Sequence, residues 1–144
     1  MMLGEDDRMR RWIYPAILIA FVCLGCSRDD TAKGVADRFV QAYYVQVDQA
    51  RALDFTAALA EERLQREIQM VTPIRRSGDV EQARPNVEYS LVRSQPDGRQ
   101  VLFVYDLTIT PPHIPPMLKK VLIITDQRAG QWKVINFTET DAVR

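Results

Sequence analysis

The apolar residues change period near residue 86, and no other feature restricts the fold so strongly. From Ala32 to Met70 they recur at three- and four-residue steps. Val35, Phe39, Ala42, Tyr43 and Val47 form one stripe, the pattern of a helix that packs on something flat. From Val87 the step becomes two. Val87, Tyr89 and Leu91 alternate with Glu88 and Ser90, and Val101, Phe103, Tyr105, Leu107 and Ile109 share a face of the next run.

Turn and cap residues divide these regimes into elements. Asp48 is placed to cap a short second helix near Gln49–Leu53, and Asp54 and Thr56 a third. In that third helix Leu59, Leu64 and Ile68 supply apolar contacts, and Thr72-Pro73 ends it. Residues 75–86 read as a loop with a short edge strand around Val80. Pro96-Asp97-Gly98 predicts a tight turn into a strand over 100–110. The link Pro111-Pro112-His113-Ile114-Pro115-Pro116 leads to a third strand near 118–125, and Ala129-Gly130 turns into a fourth from Trp132 to Phe137. The expected fold class is α+β: N-terminal helices on a curved antiparallel sheet of four strands or slightly more.

The two central strands carry apolar residues on both faces. Leu102 and Val104 lie opposite Val101 and Phe103, and Leu122 and Ile124 opposite Val121 and Ile123. An antiparallel sheet with one wet face alternates more cleanly than this. Helices cover one face only, so the other is expected to meet a second copy, another protein or the chain's own N-terminal segment.

The first 25 residues follow a different logic. Arg8, Arg10 and Arg11 precede a run from Trp12 to Gly25 that contains no charge. About fourteen residues are too few to span a bilayer, which takes about twenty, but they suit the apolar part of an export signal. Glu5, Asp6 and Asp7 ahead of the arginines are unusual, and a start at Met9 would remove them. The run closes on Cys23-Leu24-Gly25-Cys26, which resembles the lipobox of a bacterial lipoprotein, although Cys23 stands where that pattern usually has Leu. The resemblance implies cleavage between Gly25 and Cys26, lipidation of Cys26, and attachment to a membrane through the N-terminal lipid. Ser27 in place of Asp implies sorting to the outer membrane, on its periplasmic side, in an organism with two membranes.

The expected organisation is therefore a signal peptide over 1–25, a lipidated N-terminus and short tether over 26–31, and a single domain over 32–144. Cys23 and Cys26 are the only cysteines, so processing leaves no thiol for a disulfide or a metal site. The whole chain carries 19 basic and 19 acidic residues, and the first 25 residues contain three of each sign, so the balance survives cleavage. Nucleic-acid binding is not expected from a balanced domain. The basic pairs Arg75-Arg76 and Lys119-Lys120 read as solvated.

The order of helices then meander, with Phe39-Val40-Gln41-Ala42-Tyr43-Tyr44 in the helical part and Gln131-Trp132-Lys133-Val134-Ile135-Asn136-Phe137 in the last strand, resembles the nuclear transport factor 2-like (cystatin-like) superfamily over roughly residues 32–140. That resemblance implies a cone around an apolar pocket, lined here by Phe39, Tyr43, Phe103 and Tyr105, and frequent dimerisation through the sheet. It also admits isomerases and dehydratases, for which Tyr43 with a carboxylate such as Asp48 would be the working pair.

Among the polar candidates, Asp106 is out of phase with Phe103 and Tyr105 and points away from such a pocket. His113, the only histidine, reads as an exposed loop residue, and Tyr44, Tyr89 and Tyr105 as core packing. No catalytic residue, cofactor or metal is assigned. The expected function is a non-catalytic ligand- or protein-binding domain at the cell envelope, partnered by a second copy or an envelope protein through the sheet face. The alternatives are an isomerase or dehydratase, and a structural subunit of an envelope assembly.

Overall fold

The computed structural model of the chain describes residues 31–76 and 84–142, the side chains of 74–76 excepted. The signal-like segment, Gly25, Cys26, Ser27, the strand near Val80 and the side chains of Arg75 and Arg76 lie outside the described residues. Within them the chain is α+β: helices α1 (Ala32–Val40), α2 (Gln49–Leu53) and α3 (Ala58–Arg76) precede strands β1 (Asn86–Asp97), β2 (Gln100–Thr110), β3 (Met117–Arg128) and β4 (Gln131–Asp141). The strands form an open antiparallel sheet in the order β1-β2-β3-β4, a plain meander.

Thr31 starts α1 by accepting a hydrogen bond from the backbone of Gly34 at 3.0 Å. The helix does not continue regularly to Val47, as the stripe predicts. Residues Gln41–Val45 widen into a π-turn, which shifts the phase by one residue, so Ala42 and Tyr44 are buried while Val47 is 37% exposed. Val47 also has φ +53, an unusual backbone for a β-branched residue, at the bend before α2. Asp48 caps α2 through the backbone N–H of Arg51 at 2.9 Å, as its position predicts.

Three expectations for α3 are corrected. Asp54 closes α2, and the Thr56 hydroxyl donates to the Leu53 carbonyl at 2.9 Å, so neither caps α3. Leu59 is 63% exposed, and Ala60 and Leu64 face the core in its place. The helix also passes Pro73 and runs on to Arg76. So near the end, proline removes a single backbone bond, and the Thr72 hydroxyl donates to the Ile68 carbonyl at 2.6 Å.

The helices pack on one face of the sheet. Val35, Phe39, Val40 and Leu64 meet Phe103, Tyr105, Leu107, Val121, Ile123, Val134 and Phe137 in one buried cluster. Residues 55–57 seal part of the outer edge of β4: Val134 donates to the Phe55 carbonyl at 2.8 Å, and Ala57 donates to the Val134 carbonyl at 2.9 Å. Bulges at Val92 in β1 and Ile135 in β4 interrupt the register, each placing one unpaired residue in its strand.

Both hairpins close in two residues. Asp97 and Gln100 pair directly, so the first turn is Gly98-Arg99, one residue later than Pro96-Asp97-Gly98 predicts, with Gly98 at φ +59. The second holds Ala129 at φ +49 and Gly130 at φ +77, so both central residues are left-handed. Glycine at 129 removes the clash between the Ala129 Cβ and its own backbone. Ala129→Gly is expected to raise stability by about 1 kcal/mol. Gly130→Ala lowers it by a similar amount, and urea unfolding of the pair of variants checks both signs.

Candidate functional site

Two parts of the molecule hold chemistry: the aromatic interior between helices and sheet, and the bare opposite face of the sheet. The interior is built around Phe39, which α1 carries to the middle of β4. Its ring stacks on Tyr43 at 5.5 Å and tilts against Phe137 at 4.9 Å, and Tyr43 in turn meets Phe137 at 5.2 Å. The residues expected to line a pocket, Phe39, Tyr43, Phe103 and Tyr105, all belong to this cluster or pack directly against it. Tyr89 and Phe103 flank the Tyr105 ring.

Two tyrosine hydroxyls at the margin of this core donate to helix carboxylates. Tyr43 donates to Glu67 at 2.7 Å, and Tyr105 donates to Asp37 at 2.7 Å. Each carboxylate also has a cation one helical turn away: Arg63 donates to Glu67 at 3.0 Å, and Lys33 pairs with Asp37. Arg63 ties the cluster to the sheet as well. Its guanidinium lies 4.2 Å over the Phe137 ring and donates to the Phe137 carbonyl at 3.1 Å. Burial would lower the Arg63 pKa, but Glu67 and the tyrosines outweigh it and raise the value.

The third tyrosine differs. Tyr44 is buried beside Tyr43, its rings edge-on at 4.7 Å, and its hydroxyl is enclosed without a hydrogen-bond partner. Burial, reinforced by the negative charge of Glu139, pushes its pKa far above the usual phenol value. Burial and then the bonded carboxylate do the same for Tyr43 and for Tyr105. All three phenols therefore stay protonated at any physiological pH and act as donors or as inert core.

Asp48, the carboxylate expected beside Tyr43, is used instead as the α2 cap. The contacts with Glu67, Arg63 and Asp37 were not foreseen. The available signal was the i, i+4 spacing of Lys33 with Asp37 and of Arg63 with Glu67, which places each carboxylate in a charge pair on a helix. His113 is exposed in the proline link at φ +64. Among the described residues no group of three or more His, Cys, Asp or Glu side chains is arranged to hold a metal ion.

The opposite face of the sheet is organised around four aliphatic side chains. Leu102 pairs with Ile124 and Val104 with Leu122, so the four make a square across β2 and β3 on the side away from the helices. Among the described residues no helix covers them; Leu102, Leu122 and Ile124 are partly open to solvent, and Val104 is 8% exposed. Polar residues surround the square: Gln95 and Arg93 on β1, and Asn136 and Thr138 on β4.

Charges close its two ends. At one, Lys120 donates to Asp106 at 2.6 Å, with the side chains 46% and 53% exposed; Asp106 thus points away from the core, as its phase predicts. At the other, Asp126 is 5% exposed between Arg128 at 3.4 Å and Arg99 at 3.8 Å. Beyond the Lys120 end, exposed Leu118 continues this face, while Met117, in phase with Val121 and Ile123, lies on the other. An apolar centre inside a polar, charged rim is the anatomy of a protein-binding surface.

No known family model matches the chain, and no curated protein matches it. Among the described residues no helix is long and apolar enough to cross a membrane.

The tyrosines give a test with opposite signs. Tyr44→Phe removes an enclosed hydroxyl that has no partner and is expected to stabilise by about 1 kcal/mol. Tyr105→Phe removes a bond to a charged acceptor and costs about 2 kcal/mol. Because the folded phenols titrate above the unfolded ones, their contribution is complete below about pH 10 and is lost as the pH rises further. Denaturant melts between pH 8 and 11, on the wild type and on both variants, check the signs and the alkaline loss.

Proposed function

We propose that the chain is a lipid-anchored protein of a bacterial cell envelope whose domain works without catalysis, as a binding module that receives a protein on its open sheet face. The observation that carries this reading is the aliphatic square Leu102, Val104, Leu122 and Ile124 on a face that no helix covers. Leu102, Leu122 and Ile124 are partly exposed and Val104 is 8% exposed, so covering the square contributes roughly 1 to 4 kcal/mol at about 25 cal/mol per Å². A domain that used the sheet only as a core wall would carry polar residues there.

The anchor rests on the resemblance of Cys23-Leu24-Gly25-Cys26 to a lipobox, with the cationic and apolar segments before it. Each buried methylene of an attached acyl chain adds about 0.8 kcal/mol, so two or three chains hold a protein durably. The nuclear transport factor 2-like resemblance implies an apolar pocket on the helix side of the sheet, and its frequent dimerisation through the sheet is what bears on the open face. In an organism with two membranes, Ser27 favours sorting to the periplasmic side of the outer membrane.

A second reading, an isomerase or dehydratase, has the 2.7 Å contact of Tyr43 with Glu67 in its favour. Arg63 weighs against it. Glu67 already accepts from the Arg63 guanidinium on one oxygen and from the Tyr43 phenol on the other, so both oxygens hold protein partners that fasten helix to core.

Two measurements test the proposal. Cys26→Ser is expected to abolish acylation, read as loss of the lipid mass, and to release the protein from membranes; acylation that survives the change refutes the anchor. For the face, single cysteines are placed at Thr138, on the rim of the square, and at Glu62, exposed on α3. In native membranes Thr138→Cys should label with a maleimide severalfold more slowly than after detergent extraction, while Glu62→Cys labels equally in both. Equal labelling at both positions would remove the case for an occupied face.

A further inference from the structure

We infer that Arg99 and Arg128, gathered beside the two hairpin turns by the buried carboxylate of Asp126, form a two-guanidinium site for the phosphate of an anionic lipid headgroup. The membrane as its source rests on the lipid-anchor reading above.

Both hairpins of the meander turn at the same end of the sheet, through Gly98-Arg99 and Ala129-Gly130. Asp126 lies on β3 just short of the turns, opposite Gln100 of the first hairpin, and is 5% exposed. Arg128 lies 3.4 Å from its Oδ2 and Arg99 3.8 Å from its Oδ1, so one carboxylate draws a guanidinium from each hairpin. The enclosed Oδ1 accepts no hydrogen bond, so charge holds Arg99 there, and the guanidinium gives a donor to the Gln127 carbonyl at 3.4 Å instead.

Taking a carboxylate out of water costs free energy that contacts of this length offset poorly. What the burial achieves is position. Two planar groups of five donors each are brought to the extremity of the sheet, with side chains 78% and 50% exposed, and their two positive charges stand over one negative. Phosphate oxygens are the acceptors that such forks match best. Asp97, exposed at the start of the first turn, offsets part of the charge and so gives the test a second sign.

The direction of the helices turns this end toward the anchor. Ahead of α3, Ala57 bonds to Val134; along the helix Arg63 lies over Phe137, and Glu67 follows one turn later. The first helical segment advances the same way: Arg38 lies over Phe55, to which Val134 is bonded, Phe39 meets Phe137, and Tyr43 reaches Glu67. Both run along β4 away from the turns, so the start of α1 points back toward them. Cys26 precedes Thr31 by five residues, a reach of under about 20 Å even when fully extended.

The other end of the sheet has the wrong sign for an anionic surface. There Lys119 faces Glu139 and Asp141, and Lys120 faces Asp106, so two cations stand against three carboxylates. With the turns on the headgroups, the strands stand along the bilayer normal and the aliphatic square faces sideways, toward a neighbour in the same membrane.

The test uses the full chain in mild detergent and a water-soluble lipid, dihexanoyl phosphatidylglycerol, below its micelle concentration. The lipid should shift the amide resonances of Gly98, Arg99 and Gly130 saturably and leave those of Lys119 and Lys120 in place. An arginine near an anionic headgroup changes affinity about fivefold, so Arg99→Gln should weaken binding by about that factor and Asp97→Asn should strengthen it. Arg99→Gln leaves Arg128 on Asp126, which protects the fold, and Arg99→Lys, with the charge but without the fork, should fall between. Absence of a shift at the turns, or an affinity that Arg99→Gln does not change, overturns the site.

Two further ligands separate the sources. Inorganic phosphate that binds as tightly reassigns the site to a free anion and overturns the headgroup; dihexanoyl phosphatidylcholine that binds as tightly overturns the requirement for an anionic lipid. The mass at Cys26 is read on the same sample. Binding by a chain without lipid supports the site and refutes the anchor, whereas a lipidated chain that does not bind refutes the site and leaves the anchor standing.

Discussion

Phe39 is the contact on which the rest of the arrangement depends. It is completely buried, and it touches Tyr43 in the π-turn that follows and Phe137 on the last strand, so it fixes α1 against β4, an edge strand of the sheet. Once α1 is pinned there, Asp37 comes within reach of Tyr105 on β2, and Tyr43 within reach of Glu67 on α3. Arg63 then completes a loop of contacts, because it holds Glu67, covers the Phe137 ring and bonds the Phe137 carbonyl. Burying one phenylalanine contributes about 2 to 3 kcal/mol by area alone. Its larger effect is to set the register between helices and sheet on which three other long-range contacts rely.

That register also explains the tyrosine pair. Within the π-turn over Gln41–Val45 the two rings meet edge-on, with Tyr44 buried and Tyr43 half-buried. The result is one phenol that is bonded and one that is enclosed, and the carboxylates shared between a phenol and a cation fasten elements together.

Much of the fold could be read from residues alone, where a local rule decides the outcome. Alternation gives β2 its bounds of 100–110, Asp48 caps α2, and Ala129-Gly130 makes a two-residue turn. What could not be read depends on contacts distant in the chain or on shifts of a single residue. The π-turn and the bulges at Val92 and Ile135 leave no trace in a periodic pattern, yet each changes which side chains face inward. Leu59 looks like core and is not, because Ala60 and Leu64 already set the face of α3 that meets the sheet. Tyr43 finds its carboxylate 24 positions away in Glu67, whereas proximity in sequence favours Asp48. On the open face the outcome is the reverse, since the doubled apolar pattern of β2 and β3 already marks it.

The two faces of the sheet therefore solve different problems with the same strands. Odd-numbered positions of β2, from Val101 to Ile109, serve the interior, and Leu102 and Val104 serve the exterior. Among the described residues all three helices pack on the other face, so none of them forms a second layer on that side. On the proposed reading an exterior partner supplies that layer, and a lipid anchor makes the arrangement economical. Confinement to a membrane plane raises local concentration without adding contact area, so a small face suffices where a soluble protein would need a larger one. The weaker each contact is in solution, the more the association depends on the anchor. On that reading attachment and assembly are one property of the chain, controlled at Cys26 and expressed at the far side of the sheet.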